Sequence, residues 1–405
     1  MFVLNAKINL RPAIRQILRK MINGLLEEST NPLKRVSEYS LDDSEAKKAK
    51  PDFQRVKKWK YAVLLSYSGQ GYLGLQRNPG QKTIEEELFK ALLAANVINE
   101  EAYNQPKILD FQRAARTDKG VSAVRQVLSV KLPTEVSLES VNSHLPDQIR
   151  MVALKRATKG FNCKGNCDAR TYSYMMPTFA LAPKDVSVSP DYRVTQDILE
   201  KTQAVLQTYV GTHNYHNFTS KKKPLDPSAM RYIISFVCEE PVLCEGMEFV
   251  ILKVKGQSFM LHQIRKMVGL AIAIVRGYTT EETIKKAWGE ERLDLPVAPG
   301  AGLVLEEVHY DRYNQRYGQD GIHVEIEWSK EKEQLEEFKK TFILSSIVKS
   351  EKEENSMATW LETLPMHTFD IRNVHRHQKP KDDEEEEEED GVSRESNSDD
   401  SRNIV

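Results

Sequence analysis

The sequence predicts an α+β protein. Apolar, β-prone runs outnumber helical stretches, the helices come singly between groups of strands, and no regular strand–helix alternation runs through the chain. That order places helices on antiparallel or mixed sheets and excludes a doubly wound fold. The first predicted element is the strand Tyr61–Tyr67, an apolar run ending at a Gly-rich loop over 69–80. Thr83 and Glu86 form a capping box for a helix running to about Ala95. Strands follow at 124–131, 151–157 and 171–176, then a helix at 195–208. Strands 231–239 and 248–255 pair around the Glu245-Gly246 turn. Ser258 opens a long apolar helix to about Arg276, Thr279 caps another, and 302–310 is the last core strand.

Composition narrows the function. Of 405 residues, 40% are apolar and 29% charged, which suits a folded core with polar tails. No run of 18 apolar residues exists, so no membrane-spanning helix is expected. Cys163, Cys167, Cys238 and Cys244 lack disulfide-framework density, and the first pair is one residue too long for C-x-x-C; free thiols are expected, a four-cysteine zinc site being the alternative. Residues 382–405 carry ten net negative charges, so the remainder of a chain of net charge −1 is at +9. A basic body suits a polyanionic partner.

The organisation read from the chain has five parts. Residues 1–58 hold a basic amphipathic segment followed by a disordered basic linker. In the first, Arg11, Arg15 and Arg19 share a helix face, the pattern of a mitochondrial presequence or of a cationic surface helix. In the linker, Lys34-Arg35 and Lys47-Lys48 are spaced like a bipartite nuclear-import signal or lie in an ordinary solvated linker. Two sheet-and-helix lobes are expected at 59–180 and 181–312, a helical extension at 313–370 and a disordered acidic tail at 371–405.

Arg113-Ala-Ala-Arg116-Thr117-Asp118-Lys119-Gly120 is the sharpest local feature. Lys119-Gly120 is a turn signal, and three cations surround one carboxylate and keep it ionised. Such a carboxylate serves as a nucleophile or charge stabiliser, and it equally describes a salted turn. Arg265 lies in an apolar helix, where a buried charge needs a partner, with His262 on the same face three residues earlier.

Six segments in order across about 60–310 resemble the tRNA pseudouridine synthase A family. They are Tyr61 to Gln76, Ala115-Arg116-Thr117-Asp118-Lys119-Gly120, Ala169-Arg170-Thr171-Tyr172, Gly211-Thr212-His213-Asn214-Tyr215, Phe259 to Gly269, and Pro299 to Leu305. Lys221 to Lys223, Arg312 to Gly318 and Trp360 to Pro365 resemble the eukaryotic branch. The resemblance implies the pseudouridine synthase fold, with two similar α/β lobes and mixed, mainly antiparallel sheets around a basic RNA-binding cleft. It implies an isomerase that converts uridine to pseudouridine in tRNA, with small nuclear and messenger RNA as further substrates. It implies no cofactor and no metal. The target nucleotide is flipped out of its helix. Asp118 is carried over as the carboxylate that attacks the base, attacks C1′ or takes the 2′ proton. Arg116 is carried over as a wedge in the emptied stack. Tyr172, with Tyr174 as alternate, stacks on the uracil and is a candidate base for its C5 proton. Arg265 is the basic partner of Asp118, and Leu303 and Val304 wall the uracil pocket.

Lys221, Lys222, Lys223 and His213, with Lys155, Arg156, Lys159, Lys164 and Lys266, are expected on the RNA, with Tyr215, Phe218 and Phe161 among them. A monomer without membrane contact is expected in nucleus and mitochondrion. Two rivals remain at this stage, an RNA-folding chaperone without catalysis and an unrelated hydrolase using Asp118. No P-loop, G-x-S-x-G or metal-ligand cluster supports the second.

Overall fold

The computed structural model describes residues 57–220 and 222–371. Its strands are Lys58–Tyr67 (β1), Gln112–Arg113 (β2), Ser122–Pro133 (β3), Ile149–Arg156 (β4), Ala169–Pro177 (β5), Gly211–Asn214 (β6), Met230–Cys238 (β7), Val242–Cys244 (β8), Met247–Gly256 (β9) and Leu303–His309 (β10). They form one sheet in the order β4-β1-β3-β10-β5-β9-β7-β6, with β2 on β3 and β8 on β9. Every pairing is antiparallel except β10 on β3. The last strand in sequence therefore sits at the middle of the sheet, joining the strands of the chain's first half to those of its second.

Both faces of β1 and β3 are buried, which their apolar runs require. The helices are Ile84–Ala94 (α1), Glu100–Asn104 (α2), Leu138–Asn142 (α3), Gln196–Gln207 (α4), Gln263–Arg276 (α5), Glu282–Ala287 (α6), Asp311–Tyr317 (α7), Lys332–Phe338 (α8), Ser345–Glu354 (α9) and Ser356–Leu361 (α10). Thr83 Oγ1 caps α1 by accepting from the Glu86 amide at 3.3 Å. The sheet edge at β7 is closed by a side chain: Gln203 of α4 donates to the Phe236 carbonyl and accepts from the Cys238 amide. That amide imitates a neighbouring strand and blunts the edge. Lys339 pairs with Glu306 of β10 at 2.8 Å, clamping the chain that follows α8 onto the central strand.

In its elements and core the structure departs from the sequence-based expectations as follows. The Glu245-Gly246 turn, with φ of +49° and +89°, joins β8 to β9 and not β7 to β9; the intervening β8 is too short to signal itself. The apolar helix begins at Gln263, not Ser258, because His262 takes a left-handed backbone that ends regular helix there. Tyr215, Phe218 and Phe161 are core residues, not RNA-facing rings. Tyr215 and Phe218 pack edge-on near Tyr209, and Phe161 packs on Tyr310 and Tyr313.

Candidate active site

The loop between β2 and β3 carries Asp118, and three strands hold it from below. Arg170 at the start of β5 donates to the Ala114 carbonyl from Nε and Nη2, at 3.0 and 2.6 Å. Gln126 of β3 donates to the Ala115 carbonyl at 2.8 Å and accepts the Ala115 amide at 3.2 Å. Thr117 Oγ1 shares a 2.8 Å hydrogen bond with the Tyr67 hydroxyl of β1. Gln126, Thr117 and Tyr67 are all buried, so these polar groups hold the loop where water does not compete.

Above, the loop is pressed against glycine backbone. Gly74 has φ of +118°, and a Cβ there would lie 2.9 Å from the Thr117 carbonyl oxygen. Gly74→Ala therefore combines a disfavoured backbone with a clash against backbone. Urea unfolding is expected to show a loss of about 1–3 kcal/mol, with kcat falling as the Asp118 loop shifts.

Asp118 is three-quarters buried and faces the start of α5. Arg265 Nη1 lies 3.9 Å and His262 Nε2 3.7 Å from the same oxygen, Oδ2. Arg265 also donates from Nε to the Ala298 carbonyl at 2.7 Å, which fixes the guanidinium against the segment leading into β10. Gly269, one turn further along α5, allows this approach: a Cβ would lie 2.7 Å from the Pro296 carbonyl oxygen.

Tyr172 of β5 is 6% exposed. Burial pushes its hydroxyl up to about 12; Asp118 adds to that rise and Arg170 opposes it. Its ring meets Phe259 edge-on, with centroids 5.3 Å apart. Tyr174, the alternate candidate, is fully buried and donates to the Pro299 carbonyl at 2.9 Å, a structural bond supporting the same segment.

The β5–β10 register divides the expected pocket wall. Leu303 pairs with Tyr174 and Leu305 with Tyr172, so both leucines share the tyrosine face. Val304 pairs with Ser173 and points to the other face. Leu305, which period two from Leu303 would have indicated, is therefore the residue beside Tyr172. Phe259 was also missed, although it opens the segment containing Arg265.

Arg116 is exposed and makes no hydrogen bond or ion pair among the described residues. His213 lies at the far sheet edge on β6, stacked on Trp288 at 3.8 Å with 4° between the rings. Three strand spacings, roughly 14 Å, separate β6 from β5. Lys222 pairs with Asp226 at 3.3 Å, Lys223 is exposed, and Lys221 lies outside the described residues. Lys155 pairs with Glu327 at 3.2 Å and Arg156 stacks over Trp59, so both are engaged within the protein. Among the described residues no three His, Cys, Asp or Glu side chains are grouped to hold a metal, and the four cysteines are unpaired.

The assembly is thus one carboxylate flanked by a fixed guanidinium and an imidazole, beside a buried tyrosine and an apolar wall. It can attack or deprotonate a bound sugar-base. Comparison with known proteins shows the family. The family model for tRNA pseudouridine synthase matches residues 205–311, which include Arg265, Leu303 and Val304. The mouse protein "Pseudouridylate synthase 1 homolog" is 50% identical over 348 residues, covering 85% of this chain and 80% of its own length. The human protein of that name is 52% identical over 312 residues, covering 76% and 73%. The "tRNA pseudouridine synthase 1" of Yarrowia lipolytica is 33% identical over 407 residues, covering 79% and 76%. Identity of this extent shows that the chain belongs to the tRNA pseudouridine synthase family and is a pseudouridine synthase, an isomerase.

Proposed function

We propose that the protein isomerises specific uridines of tRNA to pseudouridine, with small nuclear and messenger RNA as further substrates. The observation that carries the reading is the placement of Asp118 within 4 Å of both Arg265 and His262, with Tyr172 near enough for the carboxylate's charge to be felt. The substrate uridine leaves its stack and enters the site. Asp118 acts as nucleophile while the N1–C1′ bond breaks. Arg265, 3.9 Å away, aims the carboxylate. Tyr172 and Leu305 hold the freed uracil as it turns, so that C5 rejoins C1′. Arg116, exposed and without a partner among the described residues, fills the vacated position in the RNA. Lys222, Lys223 and the exposed Lys159 track phosphates, and the two halves of the sheet serve as lobes around that cleft.

The protein acts as a monomer. Its proposed compartments are nucleus and mitochondrion, on the basic segments within residues 1–58, which lie outside the described residues. The test is product identity. Incubation with a tRNA transcript is expected to leave the RNA mass unchanged, release no uracil, and yield pseudouridine on nucleoside chromatography. Free uracil would make the protein a glycosidase instead.

A further inference from the structure

The reaction contains a proton transfer that Asp118 and Arg265 leave unassigned. Once C5 of the detached uracil has bonded to C1′, C5 is tetrahedral and still carries its hydrogen. A base must take that proton. The C–H electron pair then restores the C5–C6 double bond, the C6–N1 π pair moves to N1, and N1 gains a proton. The net change is one proton moved from C5 to N1, with no other reagent. We propose that His262 is the base that removes the C5 proton, with Asp118 holding its ring.

Four observations carry this assignment, which rests on the isomerase reading above. His262 Nε2 faces Asp118 Oδ2 at 3.7 Å, so an Nε2 proton points at the carboxylate and Nδ1 is left as the acceptor. The ring makes no hydrogen bond among the described residues, and it and Asp118 remain partly open, with 34% and 25% of their side-chain surfaces exposed. The residue holds φ of +60° and ψ of +1°, a left-handed conformation that persists in a non-glycine residue where the surroundings enforce it. Finally, the ring is a usable base at neutral pH. Burial lowers its pKa, Arg265 and Lys266 on its own helix lower it further, and Asp118 on the facing loop opposes them. Tyr172, the other candidate for this proton, is a protonated phenol at that pH.

Timing favours the pair. By attack at C1′ or by removal of the 2′ proton, the two of its three roles with which this assignment is compatible, Asp118 is again a free carboxylate once C5 has joined C1′. It then stabilises the imidazolium formed by the C5 proton, which exchanges with water.

The test separates this step from the earlier ones. A tRNA transcript with 5-fluorouridine in place of uridine carries no C5 proton, so its rearrangement ends before the step assigned to His262. His262→Asn keeps the left-handed backbone, which Asn tolerates, and removes the base. We expect it to slow pseudouridine formation in the uridine transcript by about 10²- to 10⁴-fold while rearrangement of the 5-fluorouridine transcript changes by less than about threefold. His262→Gln should behave alike, and C5-deuterated uridine should show a primary isotope effect in both variants. Equal slowing of both transcripts, or normal turnover of uridine, would overturn the assignment. If the wild-type protein rearranges neither transcript, it is the isomerase reading that fails.

Discussion

Replacing Asp118 by Asn leaves tRNA bound and unmodified. The substitution keeps the side-chain shape and the loop bonds through Ala114, Ala115 and Thr117, none of which uses the carboxylate. It removes the one charge that faces both Arg265 and His262. An amide neither attacks a sugar carbon nor accepts a ribose proton. The expected loss in kcat is at least about 10³-fold, the scale seen when a nucleophile is removed. Filter binding of tRNA is expected to stay within a few-fold of wild type, because phosphate contacts supply the affinity. Weakened binding in proportion to the lost activity would instead mean that Asp118 shapes the RNA site.

Arg265→Met has the second largest expected effect. The guanidinium has two separate tasks, donating to the Ala298 carbonyl at 2.7 Å and facing Asp118 at 3.9 Å. Methionine fills much of the space but performs neither. The Ala298 carbonyl loses its donor, and Asp118 loses the charge that aims it. A loss of about 10²- to 10³-fold in kcat is expected, the scale for removing one electrostatic partner of a reacting group. Arg265→Lys should recover little, because an ammonium is a point charge and cannot reach both partners in fixed geometry. Full recovery by Lys would reduce the role of Arg265 to charge alone.

Much of this site was legible in the sequence because it rests on local signals. The turn at Lys119-Gly120 marks the Asp118 loop, and period two puts Tyr172 and Tyr174 on one strand face. The requirement that a charge in an apolar helix find a partner points from Arg265 to Asp118. What was not legible depends on strand register and on contacts between distant segments. Val304 could not be separated from Leu303 until β10 was set against β5, since a shift of one residue exchanges the faces. The support by Tyr67 and Gln126 joins β1, β3 and the loop through side chains up to 59 residues apart, and no local pattern announces it. The left-handed backbone at His262 is similarly hidden, because histidine is not a residue that advertises it. Aromatic residues among lysines looked like stacking platforms, yet Tyr215, Phe218 and Phe161 fill the core. Composition does not say which side of a strand a ring takes.

The account's central claim is that the protein moves the glycosidic bond of uridine from N1 to C5 at Asp118. It is tested most directly by tritium release from a tRNA transcript labelled at uridine C5, with the wild-type protein and with Asp118→Ala. The account predicts release by the wild type in step with pseudouridine formation, and none by the variant. Release by both would move the catalytic role away from Asp118. No release by either, with tRNA still tightly bound, would contradict the account and favour a protein that binds RNA without remaking the bond.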